Sequence, residues 1–178
     1  MSRHHIAKIT GLALFCVPAL FWGIQPGFAG PLDFSSEDTV TVSAERAWES
    51  DEADVIHFSG KFELHAPDWS LLGDTAVVYG KLDNPDRVVV EGNPARISFL
   101  RHKDTSVGAT GSGERIDGAA SYVEYFRATD KLLMRGEANL TRKGNTIVSE
   151  TIEYDVDADR YSAGGNGGIE IQFNPEAD

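Results

Sequence analysis

The sequence repeats one unit, in which a glycine interrupts a β-strand between two short apolar segments. The unit is most complete between Arg135 and Gly165, where two polar turns separate three segments of alternating apolar and polar residues. The glycine step occurs three times, at Gly60, Gly92 and Gly136. A glycine inside a strand bends the sheet or admits a close backbone approach. Repetition of the same bend in successive strands predicts an elongated sheet folded over on itself.

The spacing of aromatic residues and turns supports an all-β chain. Tyr79, Tyr125 and Tyr154 each end a strand-like segment and are each followed by a polar turn and then a glycine. Beyond residue 30 the only segment that is ambiguous between helix and strand is 45–54. Turns recur roughly every eight to twelve residues, which is typical of antiparallel β proteins. The predicted organisation is a signal peptide at 1–29, a flexible lead-in at 30–38, one β domain at 39–173 and a tail at 174–178.

The N-terminus has the three parts of an export signal. Arg3 and Lys8 precede an apolar segment at 9–24, and small residues follow it up to Ala29. This order is typical of a secretory signal peptide, so we expect cleavage near Ala29. The alternative is that the apolar segment is retained as an anchor, although it is shorter than the ~20 residues that usually span a bilayer.

The charge of the chain argues against a nucleic-acid partner. The chain has 16 Lys and Arg residues against 28 Asp and Glu residues, and removal of Arg3 and Lys8 leaves 14 against 28, a net charge of −14. Nucleic-acid binding requires a basic face. Cys16 lies in the predicted signal, so the mature domain is expected to form no disulfide. An exported domain without disulfides suits a bacterial envelope compartment.

The sequence predicts no catalytic residue, metal site or cofactor. Asp155 to Asp159 has the spacing of a calcium loop, but Arg160 stands where an EF-hand loop requires glycine. We interpret this segment as a solvated hairpin turn. His57 and His65 have the parity opposite to the neighbouring apolar residues, so surface positions are expected. Paired carboxylates of the glycosidase kind are present, but among 28 acidic residues such pairs are expected by chance.

Several segments carry a family resemblance. They are 58–64, 69–74, 88–95 with its GNPA step, 136–140, and 147–155 with its IVSETIEYD step. Together they resemble the LptA/OstA family of periplasmic lipopolysaccharide-transport proteins, over roughly residues 39–173. The resemblance implies a folded-over antiparallel β-jellyroll, open like a taco and without enzymatic activity. It also implies a protein of the periplasm.

The resemblance further implies a function in lipopolysaccharide transport. Acyl chains of lipopolysaccharide would lie in an apolar groove, and the domain would join other Lpt β-jellyroll components at the inner and outer membranes. End-to-end self-association is also implied. Burial of each acyl CH₂ is worth about 0.8 kcal/mol, so charge contacts are not essential for binding. The groove candidates, which share the apolar faces of their strands, are Ile56, Phe58, Phe62, Leu64, Leu71, Val88, Val90, Ile97, Phe99, Leu132, Met134, Leu140, Ile147, Ile152 and Ile171.

Three alternatives remain open at this stage. The groove candidates are simply core residues if the fold closes tightly. Retention of the segment 9–24 as an anchor would make the chain similar to the LptC component. A carbohydrate-active or structural β module is a further alternative. The register of one strand is also open, because sequence alone does not decide whether Ile147 or Val148 faces the interior.

Overall fold

A computed structural model describes residues 39–51, 54–82, 84–101 and 113–174. The predicted signal peptide, the whole of the lead-in and most of the tail lie outside these residues. The strands are β1 Thr41–Ser43, β2 Arg46–Glu49, β3 Val55–Ala66, β4 Trp69–Lys81, β5 Asn84–Arg101, β6 Glu114–Phe126, β7 Lys131–Arg142, β8 Asn145–Asp155 and β9 Arg160–Gln172. One 3₁₀ turn, Arg127–Thr129, joins β6 to β7. Within the described ranges, no helix is long and apolar enough to cross a membrane.

The described strands form one antiparallel sheet. From β3 to β9, each strand pairs with the next along the chain. Short polar turns join these neighbours, except for β5 and β6, which are separated by residues 102–113. β1 and β2 both pair with β3, while β9 pairs only with β8 among the described strands. The sheet formed by the described strands therefore has two unpaired edges and is not closed. This architecture confirms the predicted all-β, folded-over class.

A line of irregularities crosses the whole sheet, and we call it the bend line. The register shifts lie at Ser59/Phe62, Leu72/Thr75, Glu91/Ala95, Ala119/Tyr122, Arg135/Ala138 and Ser149/Thr151. The three glycines of the repeat lie on it. Gly60 and Gly136 have φ of 81° and 77°, in the left-handed region where only glycine is unstrained. Gly92 precedes a cis Asn93–Pro94 bond instead.

Side chains that face the interior form rows across the sheet on both sides of the bend line. One row consists of the consecutive partners Ile56, Val78, Val88, Tyr125, Leu132 and Tyr154, and we call its side the tyrosine half. A second row consists of Leu64, Leu71, Ile97, Gly118, Leu140 and Ile147, on the side that we call the leucine half. Each row is apolar because alternate residues of a strand point to the same face.

The two halves face each other. Asn145 and Asp155 stand at opposite ends of β8, and a straight strand of that length would span roughly 33 Å at about 3.3 Å per residue. Nevertheless Asp159, just beyond one end, forms an ion pair with Arg142, the partner of Asn145 at the other end. Such a contact requires that the sheet fold back at the bend line. The core consequently lies between the halves.

Candidate functional site: the apolar interior and its mouth

The space between the halves is lined by apolar side chains. Thirteen of the fifteen groove candidates are buried there: Phe58, Phe62, Leu64, Leu71, Val88, Val90, Ile97, Phe99, Leu132, Met134, Leu140, Ile147 and Ile152. Ile56 is half-buried and packs against this cluster, whereas Ile171 is 40% exposed. Ile147 faces the interior and Val148 is only half-buried, which answers the question of register left by the sequence. The structure thus brings all the candidates except Ile171 into one cluster.

Sequence reasoning missed two of the largest interior residues. Tyr125 and Tyr154 are buried and belong to the tyrosine-half row. The sequence could have predicted the inward position of Tyr154, since Tyr154 lies two residues after Ile152 and therefore on the same face of β8. Tyr79 differs from both, because it pairs with Arg87 on the outer face, where the guanidinium carbon lies 3.7 Å from the ring centroid. The repeat is therefore inexact at Tyr79.

The interior is open at the β9 edge. Ile169 and Ile171 continue the interior rows, as partners of Ser149 and Ile147, but no described strand covers them. They are 53% and 40% exposed, and Phe173 just beyond them is 74% exposed. We call these three residues the open end. An isolated apolar cluster of this kind on an unpaired strand usually marks an interaction site.

The mouth is the long side opposite the bend line, where strand ends of the two halves meet. The rings of Phe99, from the leucine half, and Tyr154, from the tyrosine half, are 6.4 Å apart between centroids. Next to them, Arg101 Nε donates a hydrogen bond of 3.0 Å to the carbonyl oxygen of Val156 in the β8–β9 turn. Over this stretch of the described chain the halves are in direct contact.

Asp159 is the centre of the polar contacts at the mouth. Its carboxylate lies 3.4 Å from Arg101 Nη1 and 2.9 Å from Lys143 Nζ, and it also pairs with Arg142. The Tyr154 hydroxyl donates a 2.8 Å hydrogen bond to it. The interpretation of the acidic segment as a solvated turn is thus wrong for Asp159. No sequence signal within the turn could have shown this, because all three cations come from the other half.

The electrostatics of Asp159 follow from these contacts. Burial works to raise the pKa of Asp159, but hydrogen bonds from Lys143 and Tyr154 and the charges of Arg142 and Arg101 outweigh it and lower the pKa below its usual value. Burial, reinforced by the hydrogen bond to Asp159, raises the pKa of the Tyr154 hydroxyl well above its usual value. Asp159 is therefore a carboxylate and Tyr154 a neutral donor at neutral pH.

The other polar candidates that the structure describes make separate local contacts. His57 stacks on Trp48 with ring centroids 5.3 Å apart, and His65 lies on the surface beside Glu63. Asp155 accepts a 2.8 Å hydrogen bond from the backbone of Ala158. Among the described residues, no group of three His, Cys, Asp or Glu side chains is placed to hold a metal ion. What the arrangement offers chemically is an apolar interior with a charged rim.

An unclosed antiparallel sheet folded around a continuous apolar interior defines a folded-over β-jellyroll. The model of the family described as LptA/(LptD N-terminal domain) LPS transport protein matches residues 41–160. The chain belongs to this family, which confirms the resemblance seen in the sequence.

A solved structure shares the fold. It is the crystal structure of LptH, described as the LptA homologous periplasmic component of the conserved lipopolysaccharide transport device from Pseudomonas aeruginosa. The two chains are 20% identical, with a TM-score of 0.64, and the alignment covers 77% of this chain and 96% of that chain. At this identity the likeness shows the fold alone. Comparison with curated proteins gives no match.

Proposed function

We propose that this protein is a periplasmic, non-enzymatic carrier of lipopolysaccharide, which holds acyl chains between the two halves and bridges the inner and outer membranes. One observation carries the proposal: the apolar interior runs without interruption from β3 to β8 and reaches the surface at the open end. Family membership supports lipopolysaccharide as the cargo. The export-like N-terminus and the periplasmic description of LptH support the compartment.

Binding requires that the halves separate, because the interior is filled by its own side chains. Transfer of an acyl chain of about ten methylenes from water to an apolar interior yields roughly 8 kcal/mol. Separation of the halves would break the contacts at the mouth, namely the Phe99–Tyr154 ring pair and the ion pairs of Asp159. A paired aromatic contact contributes about 0.5–1.5 kcal/mol. The hydrophobic gain exceeds the contribution of this ring pair.

The two unpaired edges suit end-to-end assembly. β9 offers unpaired backbone groups along one edge, and β1 with β2 offers them along the other. Addition of a strand from another jellyroll would satisfy these groups and cover the exposed side chains of Ile169 and Ile171. Other Lpt β-jellyroll components, or a second copy of this chain, are the partners that we propose for these edges.

Photocrosslinking in living cells tests the proposed cargo. A photoreactive residue at Phe62, Leu140 or Ile152, all fully buried in the interior, is expected to capture lipopolysaccharide. Val148 is the matched control, since it neighbours Ile147 on the same strand but has the opposite parity. Absence of adducts at all three interior positions, or equal capture at Val148, would contradict the proposal.

A further inference from the structure

Three cations converge at the mouth of a chain whose overall charge is strongly negative. Arg101 ends β5, Arg142 ends β7, and Lys143 follows in the β7–β8 turn. The side chains of Arg101 and Arg142 are 19% and 17% exposed, so most of each guanidinium-bearing chain is packed against protein. All three belong to the leucine half. Such a cluster is unlike the rest of the chain, in which acidic residues outnumber basic residues by 28 to 16.

The carboxylates around this cluster do not balance its charge. Asp159 pairs with all three cations but supplies one negative charge. Glu114 lies 3.9 Å from Lys143, and its two carboxylate oxygens are buried without a hydrogen-bond partner in the described part of the chain. The ion-paired groups alone, three cations and two carboxylates, sum to one positive charge. Asp157 of the same turn contacts Arg101 through its carbonyl oxygen. A partly desolvated positive site of this kind favours an anion with more charge than one carboxylate.

Asp159 is also the one member of the cluster that comes from the other half. It stands in the β8–β9 turn, so it leaves the cations when the halves separate, whereas Arg101, Arg142 and Lys143 stay together on the leucine half. The cluster lies beside the Phe99–Tyr154 contact, at the border between the apolar interior and solvent. An amphiphile with its acyl chains inside would place its headgroup at this rim.

We propose that Arg101, Arg142 and Lys143 form a phosphate site, which Asp159 occupies in the closed protein and which a phosphate group of the bound amphiphile takes when the mouth opens. Guanidinium groups bind phosphate in bidentate fashion, and a phosphate monoester offers more charge and more acceptor oxygens than Asp159 does. Asp159 thereby holds the mouth closed until a phosphorylated ligand replaces it. The inference rests on the proposed function and adds the chemistry of the headgroup.

The test compares binding of two probes to the purified protein in the same detergent: diphosphorylated lipid A and the same lipid A with its phosphates removed. Wild type is expected to bind the phosphorylated probe at least tenfold more tightly. Two variants should reduce this preference while binding of the dephosphorylated probe persists. One is the double variant Arg101→Gln/Arg142→Gln, and the other is the single variant Lys143→Gln. Lys143 is 42% exposed, so its replacement does not endanger folding. Arg115→Gln is the matched control, because Arg115 lies nearby on β6 but bonds to Ser98 outside the cluster.

The outcomes separate the inference from the proposed function. Equal affinity of wild type for both probes, or an unchanged preference in Lys143→Gln and in the double variant, would overturn the phosphate site alone. Failure of wild type to bind either probe would overturn the proposed function and the site with it. A further measurement uses inorganic phosphate without amphiphile and follows the thermal stability of wild type and the variants. If phosphate stabilises wild type but not the variants, and does so as strongly as the phosphorylated probe, the site binds free phosphate. The proposed coupling of the site to the amphiphile would then be wrong.

Discussion

Replacement of Gly136 by alanine tests the bend line directly. Gly136 has φ of 77°, and an added Cβ would lie 2.9 Å from Ser121 Oγ and 3.0 Å from Ser121 Cβ. The left-handed conformation costs an L-residue roughly 1–2 kcal/mol. Reduced entropy of the unfolded chain returns about 0.4–1 kcal/mol. Some further cost comes from the contact with Ser121, because its exposed hydroxyl can rotate away but its Cβ moves only with the backbone. We expect Gly136→Ala to lower the free energy of unfolding by about 1–2 kcal/mol.

Gly164→Ala is the matched control for this prediction. Gly164 also lies on the bend line, as the partner of Thr151, but its φ lies outside the left-handed region and an added Cβ would meet no atom within 4 Å. Only the entropy effect remains there, so this variant is expected to be slightly more stable than wild type, by about 0.4–1 kcal/mol.

Urea unfolding followed by the fluorescence of buried Trp69 measures both variants. For a urea slope of about 2 kcal/mol/M, the midpoints of Gly136→Ala and Gly164→Ala should differ by roughly 1 M. The variants are compared at equal slope, so that the midpoint difference reports stability. Coincident midpoints for the two variants would refute the claim that the left-handed step at Gly136 is needed for the fold-over.

Four further predictions follow from the same structure. Leu140→Ala should lower the free energy of unfolding by about 2–5 kcal/mol, because Leu140 is fully buried between the halves; a loss below 1 kcal/mol would contradict this. Asp159 has a lowered pKa, so its contribution to stability is present above its unfolded pKa and is lost as pH falls through the lower folded value. Asp159→Asn should therefore reduce the fall in the free energy of unfolding that wild type shows below about pH 4. An unchanged fall in the variant would count against the ion pairs. Ile171→Glu should leave stability nearly unchanged but weaken end-to-end association measured by ultracentrifugation, since Ile171 is exposed on the unpaired edge; unaltered association would exclude this edge. N-terminal sequencing of the exported protein is expected to start at Gly30, and a start at Met1 would favour the anchored alternative.

The strands and the faces of most apolar residues could be predicted because alternation is a local property. Leu64, Leu71, Ile97 and Leu140 fall in one row of partners, which the parity of each strand already indicates. Short turns predict antiparallel neighbours for every successive pair from β3 to β9 except β5 and β6, so most of the strand order follows as well. The recurrence of glycine gave the position of the bend, which no single strand shows by itself.

The remaining features depend on contacts between distant segments. The edge strand beside β3 is divided into β1 and β2. At the division, the backbone N–H of Glu45 donates a hydrogen bond to the carbonyl oxygen of Gly60, a contact that the sequence around Glu45 does not indicate. The ion pairs of Asp159 join positions whose sequence separation says nothing about proximity until the sheet is folded over. Each is a property of register or of closure, which local patterns leave undetermined.

The interior rows have a consequence for motion along them. Neighbouring strands are about 4.8 Å apart, so an acyl chain that advances by one strand leaves one set of apolar contacts and meets another. For the acyl chains alone, the energy profile under the proposed function would repeat at the strand spacing, and the proposed phosphate site at the mouth would add one deeper minimum for the headgroup. Under the proposed function the domain would conduct lipid in either direction with equal ease. The direction of travel would then be imposed at the two ends, by a supply of lipid at one edge and its removal at the other.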